Sequence, residues 1–161
     1  MERKLSCSGG VFSGWECYAS GANIPKFAKL IIENKDPSKF RESLLYTLSN
    51  GNLDNLNSKM IYDAAKRGDS LAMEIVRKIG EVNAMGFASV INVFDPELIT
   101  VGGSVAINNR ELVMPYIIEG VKKYVVNRVP KIVVTSLGED IGLLGALALA
   151  MHPEFLPDRF K

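Results

Sequence analysis

Apolar positions fall into helical stripes along most of this chain and switch to short continuous runs only twice. Residues 1–13 are polar and Gly-rich, carry neither pattern and read as a loop, opening abruptly as if another segment precedes it. Trp15 to Ala19 reads as a short helix stopped by Ser20-Gly21. Pro25, in a first-turn position, starts a helix through Asn34 with Phe27, Leu30 and Ile31 on one face. Asp36-Pro37-Ser38 breaks it, Lys39 to Leu48 forms another short helix, and Asn50-Gly51-Asn52 is loop. Ser58 to Arg67 is helical around Ile61, Ala64 and Ala65, and Gly68-Asp69 then ends one helix and caps the next.

That next helix is the longest, about Ser70 to Phe94. Its first half turns Leu71, Ile75 and Ile79 inward and Glu74, Arg77 and Lys78 outward. The second half, from Ala84, is apolar almost all round, which predicts deep burial. Asp95-Pro96 ends it, and Glu97 to Val101 is a strand running straight into Gly102-Gly103. Asn109 to Asn127 reads as helix with a break at Pro115, and Lys131 to Ser136 as a second strand. "LGEDIGLLGALALAM" gives a loop and a helix of small residues, and the chain trails off from Pro153.

This order predicts a helix-rich α/β fold, one domain over residues 1–161, whose two strands run parallel around the helix between them. Two strands are too few for a parallel sheet, which needs cover on both faces and usually more neighbours. Either the domain is an unusual helical one or its sheet is completed by residues not on this chain. In the second case an open strand edge and the apolar half of the long helix are bared.

With 47% apolar residues and a net charge of +1, the chain is not a disordered one. Its Lys and Arg residues are scattered, with no run longer than Lys122-Lys123, which points away from a nucleic-acid surface. No apolar run reaches the ~20 residues that span a bilayer, and Met1-Glu2-Arg3-Lys4 leads into no signal-peptide core. Cys7 and Cys17 make no disulfide framework and read as reduced thiols. A cytoplasmic protein with neither membrane nor nucleic-acid partner is expected.

Three stretches carry chemistry. In "DPELITVGGSVA" a strand ends in Gly102 and Gly103, letting a ligand approach the backbone where α/β sheets bind ligands. The same pair equally suits a tight turn needing positive φ, and neither G-x-G-x-x-G nor a Walker A motif is present. In "EDIGLLGALALA", Gly142 and Gly145 admit a flat group such as an adenine ring, or close packing of small residues. In "GWECYASGANI", Glu16 beside Trp15 is either a solvated helix start or a carboxylate held against an apolar platform, as in sugar sites. Cys7, Cys17 and the remote His152 are too few for a structural zinc. His152 and the Glu139-Asp140 pair read as solvated, and no Ser-His-Asp set assembles.

Together these motifs resemble the ROK family of sugar kinases and repressors, especially its ATP-dependent glucokinases. "GWECYASGANI" is similar to the family's C-x-E-x-x-x-S-G sugar-site motif, with Gly14 in place of the cysteine. "AAKRGDSLAMEIV" resembles its A-x-x-G-D-x-x-A junction, and "DPELITVGGSVA" with "LGEDIGLLGALALA" its adenosine segment and closing helix. The likeness covers about residues 5 to 152. It implies an actin-like, ribonuclease-H-like kinase of two lobes, of which this chain is the C-terminal, large-lobe portion, with the N-terminal lobe absent.

The resemblance also implies what is missing. The D-x-G-G-T phosphate motif, the Asn-Asp segment that supplies the general-base Asp, the second phosphate hairpin and the Gly-His before the cysteine cluster do not occur. No catalytic residue is therefore expected on this chain. Laid onto Cys7 to Gly14, the family's C-x-C-G-x-x-G-C keeps only Cys7, with Gly9 and Gly14 at the other two cysteine positions, so no zinc is expected. Glu16 aligns with the glutamate that hydrogen-bonds sugar hydroxyls, leaving Trp15 as packing and Cys17 as a small buried hydrophobe. The implied function is the C-terminal part of a hexose kinase moving the γ-phosphoryl of ATP, with Mg²⁺, to a sugar hydroxyl. Gly102, Gly103, Gly142 and Gly145 would hold the adenosine. The alternatives are the sugar-sensing part of a ROK-type repressor and a non-catalytic sugar-binding remnant. Besides sugar and ATP, the expected partner is a second copy or a separate N-terminal polypeptide.

Overall fold

Helix α6, Ser70–Phe94, is the axis on which the other elements lie in the computed structural model, which describes residues 5, 6, 10 and 12–156. Before it come α1 (Glu16–Ala19), α2 (Ile24–Glu33), α3 (Pro37–Arg41), α4 (Leu44–Leu48) and α5 (Ser58–Lys66). After it come β1 (Leu98–Val101), α7 (Ser104–Asn108), α8 (Arg110–Val121), β2 (Lys131–Val134) and α9 (Ile141–Met151), with a short 3-10 turn at Pro153–Phe155.

The junction into α6 is written locally. Gly68 takes a positive φ of 81°, which lets its N–H reach Ala65 O (3.0 Å) and the Asp69 N–H reach Ala64 O (3.1 Å), closing α5. Asp69 then caps α6 by accepting from Ala72 N at 2.8 Å. Its carboxylate also accepts from Ser43 Oγ at 2.9 Å and Leu44 N at 2.7 Å, so one side chain satisfies donors at two helix starts.

The core lies along α6. Its buried Leu71, Ile75 and Ile79 join Ile61 and Tyr62 of α5 and Ile24, Ala28 and Ile31 of α2 in one apolar cluster. The cluster continues through Val113, Met114, Ile117 and Val121 of α8. A Cβ on Gly80 would stand 2.4 Å from Tyr116 Cβ, and one on Gly120 2.5 Å from Ala84 Cβ, so α6 and α8 touch almost backbone to backbone. The strands pair in parallel as expected, Leu98 opposite Lys131 through Val101 opposite Val134. Ile99, Val101, Ile132 and Val134 face the core, whereas Leu98 and Thr100 are exposed. Among the described residues no third strand joins the sheet. Nor is any described helix long and apolar enough to cross a membrane.

Six sequence expectations are corrected. Lys39 to Leu48 is two helices, because Ser43 is extended (φ −84°, ψ 150°) and accepts from Leu45 N to start α4. The Asp36-Pro37-Ser38 break also begins α3, Asp36 accepting from Ser38 N at 2.9 Å. Pro115 lies inside α8 without breaking it, and α8 ends at Val121, well short of Asn127. Asn92 of α6 takes hold of the chain there, donating to Tyr124 O and accepting from Val126 N, both at 3.0 Å. Residues 104–108, not read as helix, form α7. The second half of α6 is buried only on the side of Ala84, Phe87, Ala88 and Ile91; Met85, Val93 and Phe94 are exposed.

Asp69→Ala removes the shared cap. Cap loss costs about 0.5–2 kcal/mol and an orphaned, part-buried amide about 1–3 kcal/mol. Urea unfolding is expected to show a loss of roughly 2–4 kcal/mol, with Asp69→Asn, which keeps one acceptor, losing less. Burial pushes the Tyr62 hydroxyl from its ordinary 10.0 up to about 12. Its contribution to stability is whole below pH 10.0 and is lost as the pH rises through about 12. Alkaline unfolding is therefore expected to flatten in Tyr62→Phe, as read by fluorescence against pH.

Candidate functional site

Trp15 lies against α6 at Gly86, where a Cβ would stand 2.2 Å from the indole Cδ2. Its ring meets Phe87 edge-on at 5.2 Å between centroids, and its Nε1 donates to Asn83 Oδ1 at 2.8 Å. Asn83, Gly86 and Phe87 share one face of α6 by their spacing of three and four, so the indole is seated by a single helix face. Trp15 thus packs on α6 while its remaining surface, 39% exposed, lines the cleft beside Glu16. Cys17, two residues on, is fully buried. Asn23, itself buried, donates from Nδ2 to Glu16 O (3.3 Å) and Ser20 Oγ (2.9 Å), closing the turn after α1.

Glu16 stands between these two anchors in the first turn of α1, exposed to a cleft of about 480 Å³. The β1–α7 turn, Gly102, Gly103 and Ser104, lines the same cleft, and Asn83 and Phe87 line it from α6. Gly103 has φ 92°, the left-handed region that only glycine adopts cheaply, while a Cβ there would meet nothing. Backbone conformation, then, demands this glycine. At Gly102 a Cβ would meet Thr135 and Ile141 only at ordinary contact distances of 3.6–3.7 Å. Both backbones remain open to a ligand in the cleft.

Glu16, Gly102 and Gly103 are thus brought together from positions far apart in sequence. Gly142 and Gly145 are not among the cleft-lining residues; they sit on α9, whose first residue, Ile141, packs beside Gly102. A Cβ on either would meet nothing within 4 Å, so close packing through small residues does not occur there within the described part of the chain. Glu139 is not merely solvated, since it accepts from Asn108 Nδ2 at 2.9 Å and ties α7 to the turn before α9. His152 is exposed, with Nδ1 3.0 Å from Glu154 Oε1. Cys7 and Gly9 of the cysteine pattern lie outside the described residues. Among the described residues no group of three His, Cys, Asp or Glu side chains is placed to hold a metal.

Asn83, Gly86 and Phe87 were not singled out from the sequence. The available signal was a polar Asn inside an otherwise apolar half-helix, "NAMGFASV". Chemically, the cleft is lined by one acidic residue, whose carboxylate can accept from two hydroxyls at once, and by the side-chain-free Gly102–Gly103 pair. Glu16 is its only ionisable lining residue among those described.

The sequence profile of the ROK family matches residues 1–152. The glucokinase of Streptomyces coelicolor is 30% identical over 154 residues, which take in 93% of this chain and 47% of that protein. Among solved structures, a ROK family glucokinase from Streptomyces griseus in complex with glucose and AMPPNP matches with a TM-score of 0.74 at 30% identity, covering 87% of this chain and 45% of that one. A ROK family transcriptional regulator, a homologue of the E. coli MLC protein, matches at 0.61 and 25% identity, over 80% of this chain and 30% of the other. The chain spans about half the length of the curated relatives it matches, and the matched half is their C-terminal one. Helix-rich, with two parallel strands, it has part of the actin-like fold of the ROK sugar kinases. By its profile match and its relatives, this chain belongs to the ROK family.

Proposed function

We propose that residues 1–161 form one domain, the C-terminal large-lobe portion of an ATP-dependent hexose kinase of glucokinase type, working in the cytoplasm where ATP is made. One observation carries the reading: a single cleft is lined by both Glu16 and the bare Gly102–Gly103 turn. Glu16 accepts hydrogen bonds from two sugar hydroxyls, which fixes the ring for in-line attack on the γ-phosphoryl. The adenosine lies along Gly102 and Gly103 and the adjoining start of α9, with Gly142 and Gly145 as a side-chain-free surface. The glucokinase relative and the AMPPNP-bound neighbour support both ligands.

The general base is assigned outside this chain. Glu16 is committed to orientation, and no other carboxylate lines the cleft among the described residues. The described residues offer no cluster that fits a dedicated metal cage, so Mg²⁺ is assigned to the phosphates of ATP. Zinc is left out of the proposal, because only Cys7 survives of the three cysteines of the family pattern. A second reading, a sugar-sensing part of a repressor, is favoured by the structural match to the ROK regulator. It uses the same Glu16 contact and dispenses with phosphoryl transfer.

Two measurements test the reading. The chain by itself, given ATP, Mg²⁺ and glucose in a coupled assay, is expected to show no turnover approaching the ~1–100 s⁻¹ of kinases, because the base is absent. In the enzyme completed by its N-terminal half, Glu16→Gln is expected to weaken sugar binding by roughly 1.5–3 kcal/mol, the range for a charged acceptor. Nucleotide affinity stays unchanged, as calorimetry would read; equal sugar affinity in the variant removes Glu16 from the site.

A further inference from the structure

Trp15 Nε1 donates to Asn83 Oδ1 at 2.8 Å. An indole N–H can only donate, so this bond decides which way the carboxamide is turned. The oxygen meets the indole, and Nδ2 is left with two N–H groups for other partners. Among the described residues nothing accepts from Nδ2, and none of their buried side-chain nitrogen or oxygen atoms lacks a partner. Nδ2 is therefore open to solvent, and the cleft that Asn83 lines is the one lined by Glu16. Asn83 is half-buried and one turn before Phe87 on α6, so a helix, and not a loop, presents its amide.

The cleft thus carries two polar groups of opposite kind. An ionised Glu16 carboxylate only accepts, and Asn83 Nδ2 only donates. A hydroxyl does both, so a polyhydroxy ligand satisfies the two residues together. An anion on Nδ2 would share the cleft with Glu16, and no Lys, Arg or His among the described lining residues offsets the like charge. A carbonyl compound without hydroxyls would satisfy Asn83 and leave Glu16 without a donor.

We propose that Asn83 is a second ligand-binding residue of the cleft, its Nδ2 donating to a hydroxyl oxygen of the sugar that Glu16 binds, with Trp15 as its positioning residue. The indole bond holds the carboxamide in one orientation before the ligand arrives, so that rotation is not lost on binding. The inference rests on the reading of the cleft as a sugar site and adds to it a residue that determines specificity. A sugar lacking the hydroxyl in question leaves Nδ2 unpaired inside the complex, and a site built to hydrogen-bond a hydroxyl rejects the analogue without it.

The test uses the full chain and glucose, with affinity read by calorimetry and the indole by its fluorescence, Trp15 being the one tryptophan of the sequence. Asn83→Asp keeps an oxygen for the indole N–H and removes the donor, whereas Asn83→Ala removes both. Each variant is expected to bind glucose roughly three- to tenfold more weakly, and Asn83→Asp to keep the emission maximum of Trp15. The monodeoxyglucoses supply the second readout. At least one that binds the unsubstituted chain more weakly than glucose does is expected to lose most of that disadvantage in Asn83→Ala, which a residue that only props Trp15 would not produce. Unchanged glucose affinity in both variants overturns the proposal while leaving the cleft a sugar site. So does a loss that is equal for glucose and every analogue. An unsubstituted chain with no affinity for glucose overturns the reading of the cleft, and this proposal with it.

Discussion

The Asp69 carboxylate accepts from the Ser43 hydroxyl, the Leu44 amide and the Ala72 amide, and thereby fixes where α4 and α6 begin with respect to each other. A helix turns by a constant angle per residue, so fixing its first turn fixes the phase of every later side chain. The phase set at Asp69 turns Ile75 and Ile79 into the core. Further along it brings Gly80 against Tyr116, and then Asn83, Gly86 and Phe87 against Trp15. The cleft is an outcome of that phase.

From Trp15 the constraint passes to the site. The indole is held by contact with Gly86, an edge-on ring and one hydrogen bond, and Cys17 is enclosed on the other side. Glu16 between them has little freedom left in its backbone, so it lines the cleft from a rigid base even though it is exposed. A binding carboxylate gains from this arrangement, since less entropy is lost when a ligand fixes it. The β1–α7 turn achieves rigidity differently, through the positive φ of Gly103.

Buried and exposed apolar surface sit at opposite ends of the molecule. The α2–α5–α6–α8 body has a continuous buried cluster. Beyond β1 the burial thins out, and α9 with the outer sheet face presents apolar surface to water. Exposed apolar area of this kind marks a site of association in natural proteins.

Much was legible in the sequence. Gly68-Asp69 gave the end of one helix and the cap of the next, because both act on backbone within a few residues. The length of α6, the parallel strands and the strand-ending glycines were likewise readable from periodicity and from the residue types that turns require. What the sequence could not hold is whatever a distant partner decides. Ser43 splits a helix because Asp69, 26 positions away, claims its hydroxyl. Asn92 ends α8 early by capturing Tyr124 and Val126, more than thirty residues on. Apolar composition marked the end of α6 as a surface to be buried, yet burial is a property of what stands opposite. Glu16 was singled out from its motif; only the tertiary structure, with Trp15 packed on α6, brings it to one cleft with Gly102 and Gly103. Local chemistry is read within a helical turn, and tertiary contacts alone join groups that lie further apart.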